Sequence, residues 1–115
     1  MGEKIYDLKD RTFKFAQRVL DITETLPKKP ESEIIRKQLA KAGTSIGANV
    51  EEADGTLTKK DFVNKMTIAR KEAKEARYWL RITAGRFIKE EAVASDIKES
   101  QELISIISSI INKSR

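Results

Sequence analysis

Four stretches of this chain repeat apolar residues at intervals of three and four, and three short breaks separate them. That spacing lines one face of an α-helix; a strand would alternate every second residue. In the first stretch, about residues 8–26, Leu8, Thr12, Phe15, Ala16, Val19, Ile22, Thr23 and Leu26 share a face, and Phe13 and Leu20 widen it. "LPKKPES" ends it, because Pro27 and Pro30 disfavour helix in the residues before them. A second helix is expected from Ser32 as N-cap, with Glu33 in its first turn. Ile35, Leu39, Ala42, Ile46, Asn49, Val50 and Ala53 turn inward, and Ala40, Gly43 and Gly47 fall together beside them. A glycine inside a helix costs about 1 kcal/mol relative to alanine, so this small-residue strip predicts a closely packed neighbour.

The segment "SIGANVEEADGTLTKKDF" reads as a joint. Gly55 is the expected helix stop, Thr58 caps the next helix, and Asp61 stands in the capping-box position with Phe62 following. Ser45 and Asn49 are expected to be internal ties, Asn49 to a neighbouring helix. The third helix, about residues 59–84, carries Phe62, Met66, Ala69, Ala73, Ala76 and Leu80 on its inner stripe and stops at Gly85. The fourth covers about residues 90–112, with Ser95–Asp96 as an alternative start; Val93, Ile97, Ser100, Leu103, Ile104, Ile107, Ile110 and Ile111 form a broad apolar arc. Short connections make sequential helices antiparallel neighbours. The expected architecture is all-α, an up-down-up-down antiparallel four-helix bundle occupying residues 1–115 as one domain.

Composition removes several chemistries. With no cysteine and no histidine among 115 residues, disulfides, thiolate metal sites, the commonest general base and the Glu-x-x-His pairs of di-iron bundles are absent. Glu51, Glu52, Asp54 and Lys59 are the remaining catalytic candidates, yet adjacent carboxylates on a helix point about 100° apart. No Walker-type glycine loop exists. We expect no enzyme, no cofactor and no metal. No apolar run approaches the length of a membrane span, and the N-terminus has no apolar signal stretch, so the expected location is cytoplasmic.

Two outer features of the third helix invite partners. Arg70, Lys74, Arg77 and Arg81 lie within about 60° of one another, without an acid in the strip, and Arg86 continues the charge. The row lacks an aromatic ladder for stacking single-stranded bases, although Tyr78 lies off its edge. Cations so aligned repel, and with a net charge of +5 they suit either the phosphates of RNA or DNA, or acids on another helix or subunit. Ile68, Trp79 and Ile82 point away from the inner stripe, with Glu72 and Glu75 alongside, and predict a self-association surface.

The segments "RKQLAK", "AGTSIGANVEEADG" and "KKDFVNKMTIARKEAKEARYWLRI" resemble the bacterial four-helix bundle family that includes the intervening-sequence proteins of ribosomal RNA genes. That family is similar in turn to the accessory variability determinant of diversity-generating retroelements. Ser45, Ile46, Asn49, Gly55, Asp61 and Phe62 match recurring motif positions, most strongly between Gln38 and Ile82. The chain departs from the common Asn-Ile-x-Glu-Gly by reading Asn49-Val50-Glu51-Glu52-Ala53-Asp54-Gly55. The resemblance implies a homopentamer without enzymatic activity and, in the retroelement branch, association with nucleic acid and a reverse transcriptase. The expected function is a non-enzymatic oligomeric bundle that binds RNA or DNA through its basic helix face. The alternative is a protein-interaction scaffold or reverse-transcriptase accessory subunit with no nucleic-acid contact of its own.

Overall fold

In a computed structural model, the described residues are 2–115, with side chains described from Ile5 onward. They form α1 (Gly2–Glu24), α2 (Pro30–Asp54), α3 (Lys59–Thr83) and α4 (Glu90–Ser114). Cross-helix contacts set the directions. Lys9 near the start of α1 reaches Glu51 and Asp54 at the end of α2. Glu52 meets Lys65 early in α3, and Arg70 of α3 donates to Ser108 late in α4. As α1 advances from Arg11 to Arg18, its partners on α4 retreat from Glu102 and Glu99 to Asp96 and Ala92. Each helix therefore runs against both its neighbours, in the expected up-down-up-down bundle, 44 × 23 × 19 Å overall. Among the described residues no helix is long and apolar enough to cross a membrane.

The inner stripes are buried as their spacing requires: Leu8, Val19, Leu39, Ile46, Val50, Met66, Leu80, Leu103 and Ile107 exclude water almost completely. The small-residue strip of α2 faces α1. A Cβ on Gly43 would lie 2.6–2.9 Å from three atoms of Val19, and one on Gly47 would lie 3.1 Å from Thr12 Oγ1. By contrast the α1–α4 seam is the thinnest of the four. Long side chains bridge it: Arg11 pairs with Glu99 and Glu102, and Arg18 Nε donates to buried Asp96 at 3.0 Å.

Several local expectations change. α1 begins six residues before Leu8, at Gly2. Phe13 and Leu20 do not widen its inner face; they are 62% and 44% exposed. Ser32 is not the N-cap of α2. Lys29 occupies that position and Pro30 opens the helix, where its missing N–H is no loss. Ser32 is buried inside the first turn. Arg36 closes this connection by donating to the carbonyls of Thr23 and Leu26, so it supplies the positive charge that the last turn of α1 lacks. α4 starts at Glu90 as expected, not at the alternative start Ser95–Asp96, and Asp96 is an ion-pair partner inside it.

Turn chemistry separates two glycines. Gly85 has φ 81°, a left-handed conformation, and its N–H donates to Ile88 O at 2.7 Å. Gly55 ends α2 as expected but in right-handed geometry, φ −93°, so no backbone constraint demands glycine there. Gly55→Ala is expected to keep or raise stability, by up to about 1 kcal/mol. Gly43→Ala is expected to lower it by about 1–3 kcal/mol, because the added methyl meets the Cβ of Val19, which no rotamer change can move. Urea unfolding of the two variants distinguishes these outcomes.

Candidate nucleic-acid interface

Residues committed to the core on one side of α3 leave its cations on the other. Lys74, Arg81 and Arg86 are exposed, and Arg70 and Arg77 are half-buried at the edges of the row. From Arg70 to Arg81 the row extends about 16 Å along the axis at the rise of an α-helix. Arg70 Nη1 donates to Ser108 Oγ at 3.3 Å, which steadies one end. Beyond the other end of the helix, Arg86 sits over the Phe87 ring at 5.6 Å. Among the described residues none of the five forms an ion pair, whereas Lys9, Arg11, Lys14, Arg18, Arg36 and Lys65 all do.

The reason lies on α4. Its flank toward α3 is marked by Ser108, and at helical spacing Ile97, Gln101 and Ile104 share that flank. Its acids Asp96, Glu99 and Glu102 turn to α1, where Arg11 and Arg18 take them. Glu99, with Glu102 adding to it, holds the Arg11 proton more tightly than usual. These three acids are thus spent on the opposite seam; on α3 itself Glu75 borders the row without pairing with it among the described residues.

Glu51, Glu52 and Asp54 of the joint are taken up in ion pairs. Glu51 and Asp54 turn to Lys9, with Asp54 at 2.5 Å, and Glu52 turns to Lys65 at 2.8 Å. The hydrogen bond to Asp54 raises the pKa of Lys9 above its ordinary value. Lys59 opens α3 on the surface. Among the described residues no three acidic side chains gather into a metal cage. Thr58 caps α3 as expected, its hydroxyl accepting from the Asp61 N–H at 3.1 Å, and Phe62 packs on the core. Ser45 and Asn49 differ from expectation. Ser45 Oγ donates to Lys41 O, and Asn49 Nδ2 donates to Ser45 O at 2.8 Å. Both satisfy themselves on their own helix instead of tying α2 to a neighbour.

The apolar patch is only partly open. Ile68 is 42% exposed, but Trp79 and Ile82 are half-buried, and Trp79 packs against the core. The same flank of α3 holds two buried polar atoms without partners, Glu72 Oε2 and Trp79 Nε1. Such atoms are rare in a finished interior and cost free energy until something pairs with them. One feature escaped the sequence reading. Tyr78, which the helical wheel put off the edge of the row, is 55% exposed and shares an open depression with Thr67, Arg70, Lys71, Lys74 and Glu75.

Comparison with known proteins adds context to this geometry. A model of the family described as 23S rRNA-intervening sequence protein matches residues 5–109. The chain is similar to the crystal structure of a protein with unknown function from the S23 ribosomal protein family of Bacteroides thetaiotaomicron. The two share 35% sequence identity with a TM-score of 0.87, over 95% of this chain and 98% of that one. No curated protein matches the chain.

Glu72 offers a test of its unpaired burial. Burial raises its pKa above the ordinary 4.5, Glu75 adds to the rise, and Lys71 and Lys41 oppose it. The folded state therefore holds this proton more strongly than the unfolded chain. Its ionisation costs stability as pH rises past the ordinary carboxylate value, and below that value both states are protonated and the cost vanishes. Glu72→Gln is expected to raise Tm at neutral pH, with the difference closing as the solution is acidified below about pH 4.5. Thermal melts across pH check this.

Proposed function

The chain belongs to the family of 23S rRNA-intervening sequence proteins, and from that premise we propose that it is a non-enzymatic, self-associating bundle that binds RNA or DNA through the outer face of α3. The observation carrying this reading is the row of Arg70, Lys74, Arg77 and Arg81, left without ion pairs among the described residues while Asp96, Glu99 and Glu102 of α4 serve α1. A polyanion releases counterions when such a row replaces them, which supplies affinity without base contacts. Self-association is supported by the flank carrying Ile68, Trp79 and Ile82, whose orphaned Glu72 and Trp79 atoms a second copy would satisfy. The homopentamer implied by resemblance is the assembly we propose, and it would repeat the basic row around a ring.

The test is anisotropy of a labelled structured RNA over a salt series. Replacing Arg70, Lys74, Arg77 and Arg81 by alanine is expected to weaken binding and make the salt slope shallower by roughly three to four units. Absence of binding by the unaltered protein, even at low salt, sinks the reading.

One observation favours a protein scaffold or an accessory subunit, such as one serving a reverse transcriptase. The outer face of α1 exposes Tyr6, Phe13 and Leu20 at seven-residue spacing. Asp21 and Glu24 near them form no ion pair among the described residues. This apolar, acidic face complements α3, so a neighbouring copy or an acidic partner would cover the row. Light scattering separates the two. In the nucleic-acid reading the alanine variant keeps the assembled mass; in the scaffold reading it falls apart.

A further inference from the structure

Resting on the nucleic-acid reading above, we propose that the α3 face selects unpaired strands over duplex, with one base stacking on Tyr78 while flanking phosphates meet Arg70 and Lys74. The depression that these residues line has two chemically different sides. Arg70 and Lys74 lie on one flank, Glu75 with Lys71 one turn before it on the other, and Thr67 and Tyr78 lie between them at the two ends. A carboxylate repels phosphate but accepts hydrogen bonds from base amino groups, so the Glu75 side suits a base and the Arg70–Lys74 side its phosphate. That polarity matches one nucleotide laid across the helix.

Tyr78 can serve as the platform. It is 55% exposed, and its ring meets that of Trp79 edge-on, with centroids 5.2 Å apart and planes at 73°. An edge-on contact leaves at least one ring face uncovered. Trp79 is itself packed on the core, so it braces Tyr78 against collapse onto the helix. Bases inside a duplex already stack on their neighbours and present no free face, so a lone tyrosine gains nothing from them. An unpaired base has that face available, whatever its identity. The surface is therefore expected to prefer single strands and loops without strong sequence preference.

The experiment compares a labelled single-stranded oligonucleotide with its duplex, using the full chain and two variants, Tyr78→Leu and Tyr78→Phe. Tyr78 is exposed, so neither variant threatens the fold. Tyr78→Leu is expected to weaken strand binding by roughly tenfold, change duplex binding less than about twofold, and leave the salt slope intact because no cation is lost. Tyr78→Phe keeps the ring and is expected to retain strand affinity. Trp79 is the one tryptophan in the chain, so its fluorescence gives a second readout, shifting when the strand binds and unchanged with duplex. Equal affinity for strand and duplex, or a Tyr78→Leu effect that is absent or the same on both, overturns the stacking proposal and leaves the electrostatic reading standing. No binding of either ligand by the unaltered protein overturns both.

Discussion

The α1–α2 contact, closed to glycine distance at Gly43 and Val19, governs how the remaining helices share their charges. A bundle of four gains core density wherever two backbones approach, but here the approach is unequal around the ring. α1 lies tight against α2 and meets α4 only along a thinner seam. Side chains too short to bridge that seam would leave it wet. Arg11 and Arg18 reach across it to Glu99, Glu102 and Asp96. Asp96 is 95% buried, and a carboxylate removed from water to that degree requires its cation. The seam thus binds these acids of α4 to one side of the molecule. The row on α3 is the electrostatic remainder of a packing decision made on the other side of the bundle.

Legibility from sequence followed the range of the interaction. The inner stripes depend only on local periodicity, and residues such as Met66, Ala73 and Leu80 were readable because burial repeats with the helix. The capping of α3 by Thr58 was readable for the same reason, its partner Asp61 standing three residues away. Ser32 and Ser95–Asp96 carry equally good local cap signals, yet neither caps a helix. At Ser32, Pro30 starts the helix earlier at no hydrogen-bonding cost. At Asp96, the deciding partner is Arg18, 78 positions away in sequence. Phe13 and Leu20 failed differently: an apolar residue beside an inner stripe is buried only if a neighbouring helix comes round to meet it, and these two lie on the outer face of α1, past the line where α2 meets it.

The candidate site was legible as charge and not as company. The wheel placed Arg70, Lys74, Arg77 and Arg81 in one row, yet it could not say whether acids of another helix would reach them. That required the ion-pair pattern of the whole bundle. The acidic joint shows the converse. Glu51, Glu52 and Asp54 looked alike in sequence, and only the neighbouring helices reveal that they split between Lys9 and Lys65. Asn49 seemed bound to need a partner on another helix because its position faces inward; a backbone carbonyl one turn back met the same need locally.

Keeping four cations aligned has a modest cost, and its size bears on why the row persists. Like charges three or four residues apart on an exposed helix oppose folding by about 0.2–0.5 kcal/mol per pair. A core of this extent absorbs that penalty, so stability alone would neither forbid the row nor create it. A single acid on the adjoining flank of α4 would relieve the repulsion, and Gln101 and Ser108 are the positions from which it could act. Both are neutral. The rigid helix holds each cation at a set rise from the next, Ser108 restrains Arg70 at one end, and Phe87 restrains Arg86 just beyond the other. A polyanion meeting this surface gains the field of the row without first having to order it, which distinguishes a helix face of this kind from the same charges on a loop.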